Sequence, residues 1–219
     1  MLAANDVAAV IIARNGPWID SVSLQKLLYY IQAWHLAVTD RPLFEEKIKA
    51  WKQGPVVPQV WHARKEKSTR RAVDQDVDSI QLDPDTSDLI DLVLASYGSM
   101  TGDELSALTH VEAPWLDARG DLPEDANCNT AIEPESMARF YRAHRKLGGR
   151  SAADLAAGGI HLRSAKVVGS VDVDAILSAL GDDLDDLSDD PWGGANLDLG
   201  SGFDADGIEY SPRRAHADF

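Results

Sequence analysis

The chain has 219 residues and a hydrophobic share of 44%, which is enough for a packed core and excludes wholesale disorder. No run of 18 apolar residues is present, so we expect no membrane-spanning helix. The formal charge is −15, and residues 151–219 hold −10 of it, with 4 Lys/Arg against 14 Asp/Glu. This charge disfavours nucleic acid and membranes as partners and favours basic proteins.

The sequence contains one cysteine, Cys128, which cannot form a disulfide framework. The N-terminal stretch has no basic region before its short apolar run and carries Asp6, which is atypical of a secretory signal. We therefore expect a protein of the reducing cytoplasm.

The sequence predicts a mainly α fold. A first helix covers about residues 5–14, and a second begins after Ser21 or Ser23 as its N-cap. In the second helix Gln25 and Gln32 fall on the side opposite to the apolar residues. The apolar residues follow the 3.6-residue period and are Leu24, Leu27, Leu28, Ile31, Trp34 and Val38. We identify this as the central helix.

The stretch KIKAWKQGPVVPQVWHA, residues 47–63, places two tryptophans on either side of a Gly-Pro turn. Residues 44–51 alternate weakly, which predicts either a short strand or a bent loop. Gly54 permits the turn, and both Pro55 and Pro58 fit the first turn of a new helix, where a missing N–H is harmless.

Three further helices are predicted before residue 148. Residues 86–97 are helical in pattern, Thr101 and Glu104 form a capping box for the next helix, and Glu133 precedes another. We therefore predict a compact helical domain over residues 1–147 with at most a short β-hairpin.

Residues 148–219 form an acidic extension rich in Gly and Asp. One amphipathic helix is predicted there, over about residues 171–187, followed by a flexible tail. Ile176, Leu180 and Leu184 share its apolar face. An acidic segment of this kind suits a basic partner surface, and a solubilising tail explains it equally well.

No motif for catalysis, metal binding or phosphate binding is found. The six histidines lack ligand spacing, and neither GxxxxGK[ST] nor GxGxxG occurs. His35 and Cys128 fit a core or rim position better than a ligand or nucleophile. The basic run at residues 64–71 fits a solvated loop or a dock for the acidic tail. We therefore expect a binding protein without a cofactor or metal, not an enzyme.

Three separated motifs resemble the Panacea domain, the SocA-like antitoxin family that is associated with phages. They are LQKLLYYIQAW at 24–34, KAWKQGPVVPQVW at 49–61 and THVEAPWLDAR at 109–119. The resemblance spans about residues 5–145 and implies a mainly helical domain that acts by binding. It implies an antitoxin of a type II toxin–antitoxin pair, encoded beside a toxin that it binds and neutralises. One family member instead delivers its toxin to a AAA+ protease.

The resemblance and the charge together suggest a cognate toxin with a basic surface as the partner. The alternative is a proteolytic adaptor or phage-encoded regulator that binds a host protein. The expected structural residues are Trp34, Trp51, Gly54, Pro55, Trp61, Pro114 and Trp115, and we expect Trp51 and Trp61 to bury large areas against the central helix. The candidate partner-binding residues, chosen for expected exposure or for the apolar face of the extension, are Tyr29, Tyr30, Lys52, Gln53, Ile176, Leu180 and Leu184.

Overall fold

The computed structural model describes residues 1–66 and 77–158. This part of the chain has a short 3-10 helix, Val77–Ser79, one hairpin and eight α-helices, which confirms the mainly helical prediction. The α-helices and strands are α1 (Ala4–Asn15), α2 (Ser21–Thr39), β1 (Lys49–Trp51), β2 (Gly54–Val56), α3 (Pro58–Glu66), α4 (Pro84–Tyr97), α5 (Gly102–His110), α6 (Ala113–Arg119), α7 (Pro134–His144) and α8 (Ala152–Gly158).

The second helix is the centre of the fold, as predicted. α2 packs against α1, α3, α4, α5, α7, α8 and β2, so that it is buried on all sides. Trp34 is fully buried, and removal of an aromatic side chain of this size from water stabilises the fold by about 2–3 kcal/mol.

The prediction that Gln25 and Gln32 face away from the core is wrong. Both are buried, at 1% and 3% exposure, because helices and loops cover every side of α2. Both side chains hydrogen-bond to the backbone. Gln25 Oε1 accepts the N–H of Val57 at 2.8 Å, and the Gln32 side chain bonds both Leu43 N, at 2.9 Å, and Phe44 O, at 3.0 Å.

Side-chain caps define several helix starts. The cap of α2 is Asp20, whose carboxylate accepts the N–H of Ser23 at 2.8 Å, so the predicted serine caps are wrong. A carboxylate is favoured there because it also meets the positive end of the helix dipole. The predicted capping box of Thr101 and Glu104 is confirmed at the start of α5.

The last three residues of the weakly alternating segment 44–51 form a strand, and the residues before them are a loop. β1 and β2 pair antiparallel, with Ala50 opposite Pro55 and Trp51 opposite Gly54. Pro55 therefore lies in a strand and not in the first turn of a helix as predicted, while Pro58 does begin α3. β2 is an edge strand of this two-stranded sheet, where a proline without an N–H is tolerated.

Two seven-residue helices, α6 and α8, were not expected from the sequence. α8 begins after residue 147, the predicted domain boundary, and it packs against α2 and α7 with Ala152 and Leu155 buried. The predicted helix at 171–187, with Ile176, Leu180 and Leu184, lies outside the described residues. In the described ranges no helix combines the length and the apolar character needed to cross a membrane.

Candidate functional site

The candidate site is the segment 49–61, which we call the corner: the β1–β2 hairpin and the beginning of α3. Lys52 and Gln53 form its turn and are exposed, as predicted, and we call these two residues the tip. The strands beneath the tip are held on one side by α2 and α5 and on the other by residues 130–132, where Thr130 O accepts the N–H of Ala50 at 2.9 Å.

A buried lysine supports the tip from below. Lys26, on α2, is 1% exposed, and its Nζ donates to the carbonyl oxygens of Gln53 and, at 3.4 Å, Pro55. Among the described residues it forms no ion pair. Burial lowers the pKa of Lys26 to about 7, against a weaker opposing effect of Asp20. The amine therefore loses its proton near neutral pH.

Gly54 makes this arrangement possible. Its φ of +93° lies in the region that only glycine adopts readily. A Cβ on Gly54 would lie 2.7 Å from Nζ and Cε of Lys26 and 2.9 Å from Oγ1 of Thr109. The backbone and the buried ammonium can therefore approach each other only because residue 54 has no side chain.

The third motif, residues 109–119, contacts the side of the hairpin through Trp115. The His110 ring stacks on Trp115, with centroids 4.2 Å apart, and Trp115 Nε1 donates to the carbonyl of Trp51 at 3.0 Å. The guanidinium of Arg119 lies 4.7 Å from the centroid of Trp115. Trp115 and its neighbour Pro114 are both buried. α5 and α6 are thereby joined to the hairpin.

The two tryptophans of the corner are only half-buried, so the expectation that α2 covers them is not met in full. Trp51 and Trp61 contact each other edge to face, with centroids 6.0 Å apart, and Trp51 Nε1 donates to Asn129 Oδ1 at 3.2 Å. The pair gives the corner an aromatic surface next to the polar tip.

The prediction that Tyr29 and Tyr30 form an exposed edge is wrong. They are 0% and 1% exposed, because α4 and α7 cover this side of α2. The Tyr30 ring stacks on Tyr97, with centroids 4.2 Å apart, and the hydroxyl of Tyr29 donates to a buried carboxylate, Glu112. In this conformation neither tyrosine can contact a partner.

Glu112 was missed by sequence reasoning, although it is the only acidic residue between Glu104 and Asp117 and stands inside the third motif. It is 1% exposed, and Oε2 accepts the hydroxyls of Tyr29 and Tyr141, each at 2.9 Å. Arg145 pairs with Oε1 at 3.2 Å. Burial raises the pKa of Glu112 to about 6, while Arg145 and the two hydroxyls oppose this rise. The cluster joins α2, α6 and α7.

Arg119 was also missed. Its guanidinium is buried and donates to the carbonyl oxygens of Pro123, Glu124 and Ala126 at 2.7–3.0 Å, and to that of Ala50 at 3.4 Å. One cation therefore orders the loop after α6 and ties it to β1. The buried charges of the site thus act on backbone carbonyls and on each other, an arrangement suited to holding a surface in a fixed shape.

Residues 24–116 match the Panacea domain family. The family is described as "Antitoxin SocA-like, Panacea domain", and the match runs from the start of α2 into α6, so that it includes the whole corner. The resemblance predicted from the three motifs is confirmed over this segment. The chain is also 32% identical over 109 residues to the "Antitoxin SocA" of Caulobacter vibrioides (strain NA1000 / CB15N).

The alignment with that antitoxin covers 44% of this chain and 58% of the relative. The chain thus spans less than two thirds of the curated relative. No solved structure matches the chain. The Panacea match ends at residue 116, before the loop that Arg119 orders and before α7 and α8.

Proposed function

We propose that this protein is the antitoxin of a type II toxin–antitoxin pair, and that it neutralises a cognate protein toxin by binding it without catalysis. The observation that carries the proposal is the Panacea match, which spans α2, the corner and the start of α6. The relative named Antitoxin SocA supports the same general role.

The tip of the corner is the toxin-binding surface in this proposal. Lys52 and Gln53 are exposed, while the backbone below them is bonded to α2 and α5. A rigid support reduces the entropy lost on binding, because the surface does not have to become ordered. The half-buried pair Trp51 and Trp61 adds aromatic area of the kind that is enriched at protein interfaces.

The charge of the chain favours a toxin with a basic surface. The formal charge is −15, and opposite charge speeds the encounter of two proteins and disfavours wrong partners. The acidic extension either contributes to this contact or keeps the protein soluble. Deletion of residues 159–219 distinguishes these two roles. Unchanged neutralisation by the shortened chain would assign the solubilising role.

The proposal is tested by co-expression with each neighbouring gene, with growth and co-purification as readouts. We expect one neighbour to be toxic alone, to be tolerated with this protein, and to form a stable complex with it. The double variant Lys52→Ala/Gln53→Ala should lose neutralisation at an unchanged melting temperature, because both side chains are exposed. The matched control, Glu45→Ala/Asp85→Ala, also changes two exposed residues and should neutralise fully.

Two results would contradict the proposal. If neither neighbour is toxic, the antitoxin role is wrong and a host target takes its place. If the partner protein disappears through protease-dependent turnover instead of accumulating in a complex, the protein is an adaptor that delivers it to a AAA+ protease.

A further inference from the structure

The carbonyl oxygen of Gln53 accepts hydrogen bonds from the side chains of two different helices. Lys26 Nζ donates to it from the core, and Ser106 Oγ donates to it from α5 at 3.4 Å. The same ammonium reaches the carbonyl of Pro55. Lys26 therefore contacts the backbone on both sides of Gly54, directly below the exposed tip.

A buried lysine whose described partners are carbonyl oxygens is unusual, because burial of an ammonium ion carries a large desolvation penalty. An apolar side chain of similar length would fill the same space without that penalty. What Lys26 adds is directional bonding to the tip, and Gly54 has room for it only because it lacks a Cβ.

We propose that Lys26 is a positioning residue for partner binding, and that its protonated amine fixes the tip in the shape that the toxin recognises. The inference rests on the proposed function, in which the tip is the toxin-binding surface. Hydrogen bonds from a charged donor are about twice as strong as those from a neutral one. Loss of the proton from Lys26 therefore loosens the tip while the apolar core stays intact.

The titration of Lys26 can be distinguished from that of the charged and titratable groups around it. Asp20, at the start of α2, favours the charged amine, while burial lowers the pKa of Lys26 to about 7. His110 faces it from α5, and burial, then Lys26 and Arg119, lower the pKa of His110 to about 4. His110 is thus neutral when Lys26 titrates, and the hairpin contributes Lys52, which is exposed.

The first experiment is an NMR titration of the full-length, isotope-labelled protein between pH 5.5 and 8.5. We expect the ¹³Cε signal of Lys26 and the carbonyl ¹³C signal of Gln53 to change with one common midpoint near pH 7. Amide exchange of Gly54, corrected for its intrinsic pH dependence, should rise about tenfold across the transition. A Gln53 carbonyl signal that stays constant while Lys26 titrates would overturn the inference.

Lys26→Met and Lys49→Met form a matched pair. Lys49 also lies on the hairpin and donates to a carbonyl, that of Asn129 at 2.9 Å, but it is half-buried. Lys26→Met should abolish the titration of the Gln53 carbonyl and leave the tip loose at every pH, whereas Lys49→Met should preserve the titration. A titration that survives in Lys26→Met would overturn the inference. If Lys26→Met does not fold, the titration of the unchanged protein still decides.

The second experiment uses the toxin from the co-expression test. The dissociation constant of the complex should rise about tenfold between pH 6 and pH 8, and Lys26→Met should bind weakly at both pH values. A complex with equal affinity for Lys26→Met and the unchanged protein would overturn the positioning role and leave the antitoxin role intact. The absence of a toxic neighbour would overturn the antitoxin role, while the NMR titration still decides whether Lys26 holds the tip.

Discussion

The replacement Gly54→Ala tests the geometry of the corner most directly. The added methyl group would lie 2.7 Å from Cε and Nζ of Lys26 and 2.9 Å from Oγ1 of Thr109. Contacts this short are not tolerated, and Thr109 is itself buried and bonded to Ser106 O at 2.9 Å. Lys26 must therefore move, and it loses its bonds to the carbonyls of the tip.

The cost of Gly54→Ala has two parts. A side chain at φ +93° costs about 1–3 kcal/mol of backbone strain. Displacement of a charged donor from its acceptors costs about 1.5–3 kcal/mol more. Together they reduce the unfolding free energy by roughly 2.5–6 kcal/mol, which in a chain of 219 residues lowers the melting temperature by roughly 5–24 °C.

Gly16→Ala is the matched control, because Gly16 has a φ of +108° and, apart from its two chain neighbours, no described residue places an atom within 4 Å of its added methyl group. It should cost only the strain, about 1–3 kcal/mol. Denaturant unfolding of both variants measures the difference. Lys26→Ala combined with Gly54→Ala should cost less than the sum of the two single changes, because the smaller side chain makes room. Equal costs for the two glycine variants would refute the close approach of Lys26 to the hairpin.

Changes at three further places test the rest of the structure. Glu112→Ala should reduce the unfolding free energy by about 3–5 kcal/mol, because two buried tyrosine hydroxyls and Arg145 lose their acceptor. The raised pKa of Glu112 also predicts stability that is fully present below pH 4.5 and is lost as pH rises through about 6; Glu112→Gln should remove this loss, and an unchanged pH profile would contradict it. Trp51→Ala should cost about 2 kcal/mol, since the indole is half-buried and bonded to Asn129, and it should also weaken toxin binding, because the indole belongs to the proposed surface; unchanged binding would remove Trp51 from that surface. A chain that ends at Gly158 should be more stable than one that ends at Gly148 by about 2 kcal/mol or more, because only the longer one keeps the buried Leu155; equal stability would exclude α8 from the core.

The parts of the fold that the sequence predicted are those with strong local signals. α2 and α4 run for 19 and 14 residues, long enough for the 3.6-residue period to be visible. The capping box of Thr101 and Glu104 predicted the start of α5, and Glu133-Pro134 predicted the start of α7. α6 and α8 have seven residues each, so two turns at most carry the pattern, and packing on neighbouring elements decides their structure.

The buried polar residues that support the site could not be predicted from local sequence patterns. Periodicity assigned Gln25 and Gln32 to solvent because a polar stripe on a helix is usually exposed. It also left Tyr29 and Tyr30 as candidates for an exposed edge. All four are buried because partners distant in sequence cover them, and Glu112, the acceptor of Tyr29, is 83 residues away. No local pattern contains that information.

Buried polar side chains of α2 also explain why the first two motifs form one structural unit. Three side chains of α2 bond to the backbone that follows it: Gln32 to residues 43–44, Lys26 to residues 53 and 55, and Gln25 to residue 57. Buried backbone groups that have no partner in a helix or sheet need such side-chain partners, because water cannot reach them. The polar stripe of the central helix is therefore complementary to the chain between residues 43 and 57. A change at Gln25 or Lys26 should disturb the corner, and a change at Gln32 the segment before the corner, before either disturbs the helix that carries them.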